Sequence, residues 1–167
     1  MTDQELKDLV ASLAVAQVKT EAKLDRLSEL YGGVSSSQGA SAEEFFFNSL
    51  SAHPVLGGIK YDRVSPNVTS SKGKKQAEFD IVMVNGKSVA VIEVKYKVHP
   101  SDIEKTEKNL KRYREFYPEH KNFDLYGGIA GFSVPADAVK AAKEKGLFVL
   151  KRKGDAVTTD AKGVRAL

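Results

Sequence analysis

The sequence predicts an α/β protein: a long N-terminal helix, then a domain of helix, antiparallel three-stranded meander, helix, further strand, helix and strand. Three observations predict it. Residues 2–31 repeat apolar positions at spacings of four and three, with neither glycine nor proline among them. Two apolar runs, Phe79–Val84 and Ser88–Val94, flank Asn85-Gly86, a strong short-range hairpin signal. Beyond them, strand and helix patterns alternate, which a right-handed crossover joins into one mixed sheet.

The first unit is a heptad seam over residues 1–31. Leu6, Leu13, Thr20 and Leu27 fall at d, and Val10, Gln17, Leu24 and Tyr31 at a. A helix of that length reaches about 40 Å. Its narrow stripe suits a coiled coil, so a homo-oligomer is expected, most simply a parallel dimer. Gln17 and Thr20 would be polar layers that cost stability and help fix register. The competing reading is an amphipathic helix packed back on its own chain. Residues 32–40, from Gly32-Gly33 to Gly39, read as a flexible linker.

The second domain is expected over residues 41–153. Ser41 and Glu44 form a capping box at the start of a helix from Ala42 to Ala52. Glu43, Phe46, Phe47 and Leu50 share one stripe of it, the last three as core. Pro54 and Gly57-Gly58 end that region. Ile59 to Val64 reads as the first strand, interrupted by Pro66 and Asn67. Thr69 to Lys75 is a basic loop. Lys72, Lys74 and Lys75 either contact nucleic-acid phosphates or form a solvated turn.

The hairpin carries the chemistry. A two-residue turn closed by Val84 and Lys87 sets Asp80 opposite Val91. Alternation then puts Asp80, Val82 and Val84 on one face with Val89, Val91, Glu93 and Lys95. Phe79, Ile81, Met83, Ala90, Ile92, Val94 and Tyr96 take the other face. Both faces are apolar, so the hairpin is covered on both sides. Two carboxylates and an ammonium in such a place are costly unless paired or bound to a metal. Asp80 and Glu93 become diagonal neighbours, able to grip one ion. The plainer reading is a structural ion pair at a strand end.

After the hairpin, Pro100-Ser101-Asp102 starts a helix running from Ile103 to Phe116. Its inner side carries Ile103, Thr106, Leu110 and Tyr113, and its outer side Lys105, Lys108, Lys111, Arg112 and Arg114 as solvated charge. A buried strand from Asp124 to Phe132 follows, with Gly127-Gly128 allowing close approach of another backbone. Then come a helix from Pro135 to Glu144, a strand from Leu147 to Lys151, and a polar tail over residues 154–167. His53, His99 and His120 have no partner at metal-ligand spacing and read as surface residues.

Asp80, then twelve residues, then Glu93-Val94-Lys95 resembles the PD-(D/E)xK nuclease superfamily, that of restriction endonucleases and archaeal Holliday-junction resolvases. Ala77-Glu-Phe-Asp-Ile-Val and Val91-Ile-Glu-Val-Lys are similar to its resolvase-like branch. Phe79 stands where the signature has proline. The resemblance implies a restriction-endonuclease-like core and a metal-dependent endonuclease acting on nucleic acid, with DNA the expected substrate. It implies that Asp80, Glu93 and the Val94 carbonyl hold Mg²⁺ or Mn²⁺, and that Lys95 orients a water or stabilises developing charge. It also implies a glutamate from the first core helix, seven residues before an apolar anchor. Glu43 and Leu50 match that spacing, and Glu44 competes with Glu43. Lys97 is a further phosphate contact on the same strand. The alternative is a catalytically inactive, oligomeric nucleic-acid-binding or scaffold module of the same fold.

Composition narrows the classes. No cysteine is present, which excludes disulfides, thiolate zinc sites and a cysteine nucleophile and fits a cytoplasmic protein. No apolar run approaches a membrane span and no signal-peptide pattern opens the chain, so no membrane partner is expected. The net charge of +4 mildly favours nucleic acid. Gly127-Gly128-Ile-Ala-Gly131 is not a dinucleotide fingerprint, since it lies within a strand.

Overall fold

The computed structural model describes residues 2–167; the side chains of residues 21–22 and 24–36 lie outside that description. The first helix, α1 (Asp3–Ala52), is unbroken. It takes in residues 32–40, expected as a linker. Glycine costs a helix about 1 kcal/mol each, whereas proline breaks it, and the first proline is Pro54. The capping box expected at Ser41 and Glu44 is therefore absent, because both residues lie inside the helix. The chain divides into two compact units, Met1–Gln38 and Gly39–Leu167. In the first, the seam residues Leu6, Val10 and Leu13 are 50–61% exposed. The seam positions Leu24, Leu27 and Tyr31 lie outside the described side chains. No described helix is long and apolar enough to cross a membrane.

In the second unit, a short hairpin of β1 (Val55–Leu56) and β2 (Ile59–Lys60) precedes a six-stranded sheet. The sheet runs in chain order: β3 (Arg63–Lys72), β4 (Lys75–Val84), β5 (Ser88–Lys97), β6 (Asp124–Ser133), β7 (Phe148–Lys153) and β8 (Ala156–Asp160). Pairing is antiparallel from β3 to β5, parallel from β5 to β7, and antiparallel between β7 and β8. The parallel crossovers are α2 (Pro100–Phe116) and α3 (Ala136–Glu144). This is the expected mixed α/β order of helix, meander, helix, strand, helix and strand.

Each face of the sheet buries its own core. Ala42, Phe46 and Leu50 of α1 pack with Ile81, Met83, Ile92 and Phe148. On the opposite face, Ile103, Leu110 and Tyr113 of α2 and Ala138 and Ala142 of α3 pack with Val82, Val89, Val91 and Ile129. Strand β6 is the floor between them. A methyl group on Gly127 would strike Leu110, and one on Gly128 would lie 2.6 Å from Ile92 Cδ1. One on Gly131 would lie 2.7 Å from Val98 Cγ2 and 3.2 Å from the Lys95 carbonyl oxygen. These glycines let both layers seat tightly on the sheet.

Several local expectations change. The first long strand is Arg63–Lys72 and passes through Pro66. It is an edge strand, where a residue lacking an N–H is tolerated. The basic loop shrinks to the turn at Gly73-Lys74, since Lys72 and Lys75 face each other across paired strands. The Asn85-Gly86 connection is not a two-residue turn: Val84 pairs with Val89. Asn85 Oδ1 accepts the Lys87 and Ser88 N–H groups at 2.8 and 2.6 Å, and the Asn85 N–H donates to the Ser88 carbonyl at 3.0 Å, so Gly86 and Lys87 form the tip. Phe79 lies with Val82 on the α2 face and not with Ile81, because alternation breaks at Asp80. The tail is not loose. Its strand β8 pairs with β7, and Arg165 Nη2 donates to the Glu144 carbonyl at 2.9 Å. His120 is no free surface residue: its Nδ1 lies 2.8 Å from the Tyr113 hydroxyl, in a stack with Tyr117 and Phe123.

Candidate active site at the strand fork

The site forms where β4 and β5 part. Each strand has ten residues, yet they pair only over Ile81–Val84 with Val89–Ile92. Beyond that point β4 stays with β3 as far as Lys75, and β5 stays with β6 as far as Lys97. The residues at the crotch are Asp80 and Glu93. They are the first residues beyond the last paired step, and each acts on the other's carboxyl. The two-residue change of register preserves parity over Ile81–Val84, but alternation breaks at Asp80. Asp80 therefore lines a cleft on the α1 side while Glu93 lines one on the α2 side, and the two do not share one face as expected.

Asp80 itself holds the fork open. Its Oδ2 accepts the Val94 N–H at 2.8 Å, replacing the backbone acceptor that a continued ladder would supply. On its other side, β3 is distorted at Asn67, which has φ 46°, a left-handed conformation that asparagine tolerates better than most residues. Lys95 Nζ lies 3.7 Å from Glu93 Oε1. Asn109 of α2 reaches toward Glu93 Oε2 at 3.5 Å and the Glu78 carbonyl at 3.4 Å, both at the long limit of a hydrogen bond.

Electrostatics at the fork are unbalanced. Burial first, then the neighbouring Asp80 charge, pushes Glu93 up to about 7 against the pull of Lys95. Burial also raises Asp80, opposed by the Val94 N–H and Lys95. Glu43 is raised as well, by burial and then by Asp80 and Glu78. Three acidic groups thus hold their protons above the ordinary range while one ammonium compensates them in part. Such sites are frequent where carboxylates do chemistry.

The fork opens to both sides of the sheet. On the α1 side a cleft of about 290 Å³ is lined by Glu43, Glu44, Phe47, Pro66, Asn67 and Asp80. On the α2 side a cleft of about 300 Å³ is lined by Glu78, Glu93, Lys105, Lys108, Asn109 and Arg112. Among the described residues, no three acidic or histidine side chains are gathered tightly enough to hold an ion by themselves.

No protein-family model matches the chain, and no curated protein matches it significantly. Among solved structures it is similar to a repair endonuclease from Pyrococcus abyssi, with 18% identity and a TM-score of 0.48 over 66% of this chain and 46% of that one. It is also similar to EndoMS in complex with double-stranded DNA, with 15% identity and a TM-score of 0.45 over 67% of this chain and 44% of that one. The chain spans less than half the length of these two proteins.

Of the residues singled out from sequence, the fold brings Asp80, Glu93 and Lys95 together, with Glu43 in electrostatic reach of Asp80 and Lys95. Glu43 is partly buried and Glu44 exposed, and both line the cleft that holds Asp80. Val94 contributes its backbone N–H to Asp80 while its side chain is buried. Lys72, Lys74 and Lys75 are not at the fork. Lys75 is five residues along β4 from Asp80, about 16 Å away. It pairs with Glu115 at 3.0 Å, and Lys72 lies 3.4 Å from the Glu115 carbonyl. Lys97 ends β5 and is exposed. The sequence assigns Lys105, Lys108 and Arg112 to solvated charge and does not single out Asn109, although their spacing of three and four places them on one flank of α2.

Proposed function

We propose that the chain is a divalent-metal-dependent endonuclease of restriction-endonuclease-like fold that hydrolyses phosphodiester bonds, with DNA as substrate. The observation that carries this reading is the fork: two neighbouring, desolvated carboxylates that act on each other and an ammonium, on strands that diverge around them. The donor set fits Mg²⁺ or Mn²⁺. Asp80, Glu93 and the Val94 carbonyl would hold it, with Glu43 joining through water, since such ions take few carboxylates and keep several waters. When bound, the ion supplies a water of lowered pKa and neutralises charge on the phosphoryl group. Raised proton affinities at Asp80 and Glu93 support this, because such a pair lacks the positive charge that a divalent ion brings.

The chain's own groups do the rest. Lys95 presents an ammonium to the negative charge that develops as phosphorus is attacked. Asp80 and Glu93 sit on strands, which fix such groups better than loops do. Lys95→Ala should remove metal-dependent cleavage of a mixed DNA panel while the circular dichroism spectrum stays that of wild type. Wild-type protein that cleaves no substrate with Mn²⁺ or Mg²⁺ would overturn the enzymatic reading.

The second reading is an oligomeric binding or scaffold module, favoured by the apolar residues that α1 leaves exposed. The two readings share one expectation. Leu6, Val10 and Leu13 give α1 a seam that suits another copy of itself, so the chain is expected to be a dimer. Light scattering should report a dimer for the full chain and a monomer for Leu6→Asp/Leu13→Asp. A monomeric wild type at micromolar concentration, or a variant that stays dimeric, would remove the seam from the account.

A further inference from the structure

We infer that the flank of α2 beside the fork is a track for the phosphodiester backbone of a DNA strand, gripped by Lys105, Lys108 and Arg112. The inference rests on the nuclease reading and deepens it by stating where the substrate lies. The cleft that holds Glu93 also holds these three cations. It runs into a second cleft of about 540 Å³ in which Arg112 and Glu78 recur beside Ser70, Ser71 and Gln76. The two clefts share Glu78 and Arg112 as walls, so they lie side by side from the fork toward the β3–β4 hairpin.

Charge decides the occupant. Two acidic residues of α2 are engaged elsewhere, Glu107 with Lys145 at 3.2 Å and Glu115 with Lys75 at 3.0 Å, and Glu104, exposed one turn before Lys108, is the acid that remains beside the flank. Lys105, Lys108 and Arg112 enter no ion pair among the described residues. They stand at i, i+3 and i+7, so they line one flank over about 10 Å of helix. Glu78 and Glu93 oppose them in the cleft and leave one net positive charge there. Glu93 sits at the fork end, where a bound strand would offer its scissile group beside Lys95. Further out, the Ser71 hydroxyl and the Gln76 amide are neutral groups of a kind that hydrogen-bond phosphate oxygens, while the Ser70 hydroxyl is engaged with that of Tyr117. Contacts of this kind position a strand without reading its sequence.

The test is fluorescence anisotropy of the full chain with a labelled mixed-sequence DNA duplex in EDTA, where binding is read apart from cleavage. Lys105→Ala/Lys108→Ala/Arg112→Ala should make the slope of log affinity against log salt shallower by about 2–3 and weaken binding about tenfold or more at 0.1 M salt. Lys60→Ala/Lys87→Ala/Lys121→Ala removes the same charge from exposed positions elsewhere and should leave the slope unchanged. Equal losses in both triple variants, an unchanged slope in the first, or no binding by wild type would overturn the track. A wild type that binds through the track yet never cleaves with Mn²⁺ would overturn the nuclease reading alone.

Discussion

Glu93→Gln is expected to cleave no DNA and to melt higher than wild type at pH 8. Burial and Asp80 raise the Glu93 carboxyl from its ordinary 4.5 to about 7 in the folded protein. A group whose folded pKa is raised binds its proton more tightly when folded. Its favourable contribution is complete below pH 4.5 and lost as pH rises through about 7. At pH 8 the ionised side chain costs up to about 3 kcal/mol, lessened by water at a side chain that is 21% exposed. Glutamine keeps the shape and removes that charge. The gain in melting temperature should be of the order of 5 °C at pH 8 and vanish at pH 4. Calorimetry at the two pH values, alongside a cleavage assay, measures both effects. A glutamine variant that melts lower than wild type at pH 8 would mean that the charge is already compensated within the chain.

Asp80 should separate into two roles. Its carboxylate belongs to the candidate centre and also accepts the Val94 N–H. Asp80→Ala should lose all metal-dependent cleavage and leave a buried N–H without its acceptor, a cost of about 1–3 kcal/mol partly offset by removal of a desolvated charge. Asp80→Asn retains a side-chain carbonyl oxygen that can receive the same N–H, yet cannot supply the negative charge. Hydrogen exchange at the Val94 amide should therefore accelerate in the alanine variant and stay slow in the asparagine variant, with both inactive. If Asp80→Asn cleaves DNA at the wild-type rate, Asp80 is a structural residue only.

The element order was legible because the apolar runs at Phe79–Val84, Ser88–Val94 and Asp124–Phe132 are bounded by turn residues, and α2 and α3 carry clear inner faces. The carboxylate pair was legible for a more particular reason. An error of two residues at the Asn85-Gly86 connection leaves Asp80 and Glu93 neighbours along the two strands, whereas their expected common face is lost at the break in alternation. The face of Phe79 was not legible, because the break in alternation depends on the Asp80–Val94 bond, which joins residues on separate strands. The continuation of α1 through residues 32–40 was missed because glycines were read as a stop when no proline enforced one. The basic flank of α2 was visible as a pattern. What distinguishes it from ordinary solvated charge is the cleft it shares with Glu93 and the pairing of Glu107 and Glu115 with lysines outside α2.

Strand β6 bears none of the chemical groups discussed above, yet it is where the protein has the least freedom to change. A single methyl on Gly131 would press on the Lys95 carbonyl and on Val98, and so move the strand that presents Lys95. Anyone retargeting this protein by mutagenesis should treat β6 as fixed tooling and spend library diversity on the flank of α2 and the β3–β4 turn. There, side chains end in solvent and a poor choice costs affinity before it costs the fold.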